Sequence, residues 1–165
     1  DRTANYLNWR FSNNPLVNYK MFIVKKGNKI KAFAVLRIED VTSGETREKT
    51  NIKIGRLVDF IATEESEKYV LLKVVDFCKN SDLTLLDFFE TGFFTKESLE
   101  QVGFSNSDLE PYCFIPTLFN PINYTKRTKN NFAFKIINKM YISNGGNDLN
   151  NWYLVKSCGD QDRPY

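Results

Sequence analysis

The chain contains no histidine. That absence removes Ser-His-Asp and Cys-His catalysis from the residues given. It also removes histidine-rich zinc sites, and no closely spaced cysteine pair replaces them. Cys78, Cys113 and Cys158 are odd in number and far apart, as expected of free thiols in a reducing compartment and hence of a cytoplasmic protein. Cys78 falls on the apolar side of a predicted helix and reads as packing. Cys158 stands near an acidic group, which works against a thiolate. No apolar run approaches the ~20 residues that cross a bilayer, and no charged-then-apolar leader precedes a cleavage site. Proton transfer near neutral pH therefore falls to a carboxylate, tyrosine, lysine, cysteine, water or the substrate. The chain opens at Asp1 rather than at methionine, and we expect a piece of a longer or processed protein.

What is present suits a folded domain. A length of 165 residues supports one core, so a single domain over residues 1–165 is expected. Hydrophobic residues make up 42% and aromatics 15%, which predicts a core of large side chains rather than a disordered chain. The net charge is +3, with bases partly offset by nearby acids such as Glu64, Glu65 and Glu67 beside Lys68. The one basic cluster noted, Lys126, Arg127 and Lys129, reads as a solvated loop rather than a nucleic-acid patch.

Periodicity divides the chain. Residues Asn5 to Phe11 read as the end of a helix, stopped by Ser12-Asn13-Asn14-Pro15. Asn18 to Lys26 and Lys29 to Asp40 alternate as strands around a Lys26-Gly27-Asn28 turn, a β-hairpin with Ala32, Ala34 and Leu36 on one face. Ile52 to Ala62 is nearly all apolar after Arg56, which predicts a central strand buried on both faces. A helix over Glu67 to Lys79 follows, with Val70, Leu71, Val74, Val75 and Cys78 on one stripe. Leu83 to Phe89 is the next strand. Thr95 is a plausible N-cap for a short helix closed by Gly103. Strands are predicted over Tyr112 to Phe119 and Trp152 to Lys156, and Lys129 to Met140 is ambiguous. Strand, helix, strand at Ile52 to Phe89 is a βαβ unit, with a ligand crevice expected at the carboxyl ends of its strands.

This order, a helix ending in Val102-Gly103-Phe104, and two end motifs resemble the GNAT superfamily of acyl-CoA-dependent N-acyltransferases. The end motifs are Tyr6-Leu7-Asn8-Trp9-Arg10-Phe11 with Asn14-Pro15, and Trp152-Tyr153-Leu154-Val155-Lys156 followed by Gly159-Asp160-Gln161-Asp162-Arg163-Pro164. They are similar to the second domain of two-domain GNAT-like proteins from bacterial surface-polysaccharide loci. The resemblance implies an α/β (α+β) fold with a mostly antiparallel central sheet, flanking helices and a parallel pair that splays apart. It implies acetyl-CoA or another acyl-CoA as cofactor, a primary amine such as an amino-sugar precursor as acceptor, and an upstream domain as partner. Val58, Phe60 and Ala62 would steer the pantetheine. Ser66, Glu67 and Lys68 would lie at the phosphate-binding turn.

Three positions depart from the family pattern. The turn Thr63-Glu64-Glu65-Ser66-Glu67-Lys68 has no glycine and three carboxylates, each of which would repel a diphosphate by about 1 kcal/mol. Leu99 stands where the family places its acid tyrosine, and Gly92 where it often places asparagine. Asp59 and Glu90 are candidate bases, since burial raises a carboxylate toward neutrality. Asp59, and Asp87 on the neighbouring strand, could equally pair with Arg56 or Arg37. Tyr112 is the candidate replacement acid, or simply a core tyrosine. Two functions follow as expectations: N-acyl transfer, or a non-catalytic GNAT-like domain that binds substrate or packs against a catalytic partner.

Overall fold

The computed structural model describes residues 2–92, 94–125, 135–137, 139–158 and 162. Helix α1, Ala4–Leu7, starts where the Thr3 side chain accepts from the Tyr6 N–H at 3.2 Å. It runs on as a π-helical turn, Asn8–Ser12, that buries Phe11. The Asn14 side chain then accepts from the Leu16 and Val17 N–H groups, an Asx turn of the kind the asparagine-proline pair favours. Strands β1, Lys20–Lys26, and β2, Lys29–Thr42, form the expected hairpin. Strand β3, Lys49–Ala62, lies antiparallel to β2; helix α2, Glu64–Asn80, leads to β4, Leu85–Phe88, parallel to β3. The architecture is α+β, a mixed four-stranded sheet in the order β1-β2-β3-β4. Helix α3, Lys96–Gln101, packs on α2, and a short helix α4 spans Lys139–Ser143.

The near-continuous apolar run of β3 is buried from Ile54 to Phe60, as a central strand covered on both faces must be. One face carries Ala32, Ala34, Leu36, Leu57 and Phe60 against Val70, Leu71, Val74 and Cys78 of α2. Leu57 and Phe60 are three residues apart, which a strict two-residue alternation cannot place on one face. The register explains it: Val35 opposes Asp59 and Leu36 opposes Leu57, so Val58 is an extra residue in β3. This bulge turns Val58 and Asp59 to the same, opposite face. There Val58 packs with Phe11, Tyr19 and Val35, and Val41, Ile54 and Phe119 form a further cluster.

Several expected boundaries move. Helix α2 begins at Glu64 rather than Glu67, and its N-cap is Thr63. Thr95 precedes α3 without capping it through its side chain, whereas Gly103 (φ +96°) ends the turn as expected. Tyr112 to Phe119 is not a strand. Tyr112–Phe114 is a 3-10 turn and Phe119 forms only an isolated bridge to Ile122, because Pro116 has no N–H to give to a ladder. Trp152 to Lys156 is not a strand either: Val155 bridges Glu90 and the chain turns into a 3-10 helix at Lys156–Cys158. Most of 129–140 and the basic cluster Lys126, Arg127, Lys129 lie outside the described residues. Among those described, no helix is long and apolar enough to cross a membrane.

Candidate functional site

Strand β3 pairs with β4 only from Ile54–Leu85 to Leu57–Phe88. Strand β4 ends with this ladder at Phe88 while β3 runs on through the Val58 bulge to Ala62, so beyond Leu57 β3 has no β4 partner at the place where a crevice is expected. The carboxyl-terminal segment occupies this place. The Thr91 N–H donates to the Leu154 carbonyl at 3.0 Å and the Leu154 N–H to Thr91 Oγ1 at 3.0 Å. The Tyr153 hydroxyl reaches across and donates to the Phe60 carbonyl. Gly92 permits this close approach: at φ +78° a Cβ there would meet the Asn150 carbonyl at 2.7 Å. The asparagine that the GNAT resemblance implies here would meet the same obstruction.

The candidate acids of the strands are tied into ion pairs. Asp59 is 0% exposed; both its oxygens accept from Arg2 Nε at 2.9 Å, and Oδ2 also accepts from Ser157 Oγ at 2.8 Å. Neither Arg37 nor Arg56 is its partner. Asp87 accepts from Lys156 Nζ and pairs with Arg56 at 3.3 Å. Glu39 lies between Arg37 and Arg56, each at 3.2 Å. Asp162 accepts from the Tyr19 hydroxyl at 2.7 Å and from Arg10 at 3.1 Å, with Arg37 at 3.3 Å. Bulge and alternation thus turn the polar residues of three strands to one face, where arginines and lysine neutralise carboxylates. Burial holds the Lys156 ammonium below its ordinary range, against the pull of Asp87.

Glu90 differs from these. Its Oε1 accepts from the Thr95 N–H at 3.1 Å, but Oε2 is buried with no hydrogen-bond partner among the described residues. Burial raises its carboxyl above the ordinary value, the Glu67 charge adds to this, and the Thr95 bonds oppose it. Burial also raises the Tyr153 phenol, with the charges of Glu90 and Asp59 adding.

The sign of the Glu90 shift gives a prediction. Below pH 4.5, its ordinary value, both folded and unfolded chains hold the proton, and the group costs nothing. As pH rises through the higher folded value, the folded chain must ionise a buried carboxyl that water would solvate, and stability is lost. Glu90→Gln is expected to stabilise the protein at pH 7 by on the order of 1 kcal/mol, with the gain vanishing below pH 4.5. Urea unfolding of both proteins at pH 4 and pH 7 measures it.

The other predicted residues lie as follows. Val58 and Phe60 are fully buried core, and Ala62 is half-buried against the α2 cluster. Ser66 Oγ accepts from Thr63 Oγ1 at 3.2 Å. Glu67 Oε2 accepts from Ser98 Oγ at 2.6 Å, fastening α3 to α2. Lys68 is exposed. Tyr112 is 42% exposed on its 3-10 turn; no contact joins it to Glu90 among the described residues.

The acyl-CoA implied by the resemblance can be tested against this geometry. The Ser66 and Glu67 N–H groups both donate to the Thr63 carbonyl, at 2.7 and 3.2 Å, and Glu64, Glu65 and Glu67 crowd the first turn. A diphosphate there would meet negative charge with few free donors. Tyr153 already holds the Phe60 carbonyl. These residues do not fit the group. The two concavities described lie elsewhere: one of about 360 Å³ beside Arg47, Ile122 and Tyr124, another of about 470 Å³ around Trp9 and Asn13.

Sequence reasoning missed Arg2, Lys156 and Ser157 as partners of the strand carboxylates, and Tyr153 as the donor to the Phe60 carbonyl. The only signal for Tyr153 and Lys156 was their place in the end motif. Arg2 and Ser157 lie 57 and 98 residues from Asp59, beyond any local pattern. Of the closing tail, Asp162 is described and Gly159-Asp160-Gln161 and Arg163-Pro164 lie outside the described residues. No protein-family model, curated protein or solved structure gives a significant match to the chain.

Proposed function

We propose that this chain is a GNAT-like domain without acyl transfer of its own, which binds a substrate or packs against a catalytic partner domain. The observation that carries this reading is the filled gap: the Tyr153 hydroxyl on the Phe60 carbonyl, at the place where the β3–β4 ladder has ended. Support comes also from the carboxylate-rich first turn of α2 and from the binding of Asp59 and Asp87 in ion pairs. A second reading, acyl transfer to an amine with Glu90 as proton acceptor, is favoured by the unpartnered Glu90 Oε2. A buried polar atom left unsatisfied costs stability and calls for an explanation.

Titration with acetyl-CoA by calorimetry separates the two. The proposed domain gives no heat of binding up to about 1 mM ligand, the weak end of specific affinity. Saturable binding that Tyr153→Phe strengthens and Glu90→Gln leaves intact would favour the transferase instead, and the amine acceptor would then be sought among amino sugars.

A further inference from the structure

From Arg2 to Ile38 the chain carries eight basic residues and no acidic one. The three arginines have partners: Arg2 pairs with Asp59, Arg10 with Asp162, and Arg37 with Glu39 and Asp162. The five lysines do not. Lys20, Lys25, Lys26, Lys29 and Lys31 all lie on the β1–β2 hairpin, and no ion pair among the described residues involves them. The hairpin is thus a concentrated positive surface whose lysines no carboxylate pairs with among the described residues.

The same hairpin exposes apolar side chains and a strand edge. Among the described residues, strand β1 ends the sheet and pairs only with β2. Phe22 and Val24 turn toward α2, so alternation turns Met21 and Ile23 to the other face, where they are 46% and 52% exposed. Ile23 lies opposite Phe33, and Phe33 opposite Ile61, which is 40% exposed. This makes an apolar row across three strands that ends at the open edge. An edge strand presents unpaired N–H and C=O groups to any extended chain that can lie beside it.

We propose that β1 is a docking edge for an extended, acidic segment of a partner protein, which adds to the sheet as a further strand. Backbone bonds to β1 supply the pairing, apolar side chains of the segment cover Met21 and Ile23, and its carboxylates answer the lysines. The charge pattern argues against a second copy of this chain. A symmetric antiparallel pair centred on Ile23 would bring Lys20 of one copy against Lys26 of the other, and like charges directly opposed are destabilising. This inference deepens the partner-binding reading above, and the acetyl-CoA titration does not bear on it.

The test uses the synthetic peptide acetyl-Glu-Val-Glu-Val-Glu-Val-Glu-amide, with a lysine-for-glutamate version as control. Amide hydrogen exchange with the acidic peptide is expected to slow at Lys20 to Lys26, and the control peptide to leave these amides unchanged. Binding should weaken as salt rises. A K20E/K25E/K26E variant, altered only at exposed positions, should weaken binding at least about tenfold while keeping its urea midpoint. No slowing at β1 at saturating peptide, slowing confined to another element, or equal binding of both peptides would overturn the proposal. So would a concentration-dependent dimer that protects β1 without peptide. Binding to phosphatidylserine vesicles with no β1 protection by the peptide would overturn it in favour of a membrane surface.

Discussion

Asp59→Ala is expected to destabilise the protein by about 3 kcal/mol. The Asp59 carboxylate is fully buried at the bulge of β3 and gathers Arg2 and Ser157 onto the sheet. Removing it leaves a guanidinium and a hydroxyl without their acceptor, in a space from which water is largely excluded. The Arg2 side chain is 19% exposed, so it can turn partly to solvent, which keeps the cost at the low end for a broken buried pair. Urea unfolding measures the loss, and Asp59→Asn, which can still accept from Ser157, should lose less. A base for catalysis would behave otherwise: its neutral variant would keep or gain stability and lose turnover. An Asp59→Ala variant as stable as the parent would show that Arg2 and Ser157 contribute nothing through this carboxylate.

Arg56→Ala should cost a similar amount, about 3 kcal/mol. Its guanidinium stands between Glu39 at 3.2 Å and Asp87 at 3.3 Å, donates to the Thr117 carbonyl at 2.8 Å, and lies over the Phe119 ring. Truncation leaves two carboxylates facing each other with one cation each, Arg37 and Lys156, and opens a cavity under the 112–122 loop. Arg56→Met keeps most of the volume, so the difference between the two variants isolates the cavity from the charge. Thermal unfolding of both, read against the parent, checks this. If Met costs as much as Ala, charge and hydrogen bonding dominate; if Met is near neutral, packing does.

Both predictions concern charged residues within apolar strands; sequence reasoning saw possible catalysis at Asp59 and only a possible ion-pair partner in Arg56. A carboxylate in a hydrophobic run carries the same letters whether it waits for a substrate or is held by an arginine. Asp59 and Glu90 illustrate the two outcomes. Asp59 has its acceptors filled by residues far off in the chain, whereas Glu90 keeps one oxygen without a partner among the described residues. The bulge at Val58 was equally hidden. It adds a single residue to an already apolar strand, so hydrophobicity alone gives no sign of it, yet it decides that Asp59 faces the termini rather than α2.

The sequence by itself determined the hairpin, the buried central strand, the α2 stripe and the parallel return through β4. Each rests on a local period of 2 or 3.6 and on turn residues such as Lys26-Gly27-Asn28. It also settled the absence of histidine chemistry among the residues given. Only the tertiary structure decided which charges meet. Arg2, Lys156 and Ser157 come from far apart in the chain to the strand carboxylates of one sheet face, and Tyr153 reaches the Phe60 carbonyl where the β3–β4 ladder has ended. Pairing of this kind depends on distance in space and on the need to neutralise charge away from water, neither of which a linear pattern records. The lysines of β1 are the complementary case. Their sequence shows the charge, and only the fold shows that it lines an open edge.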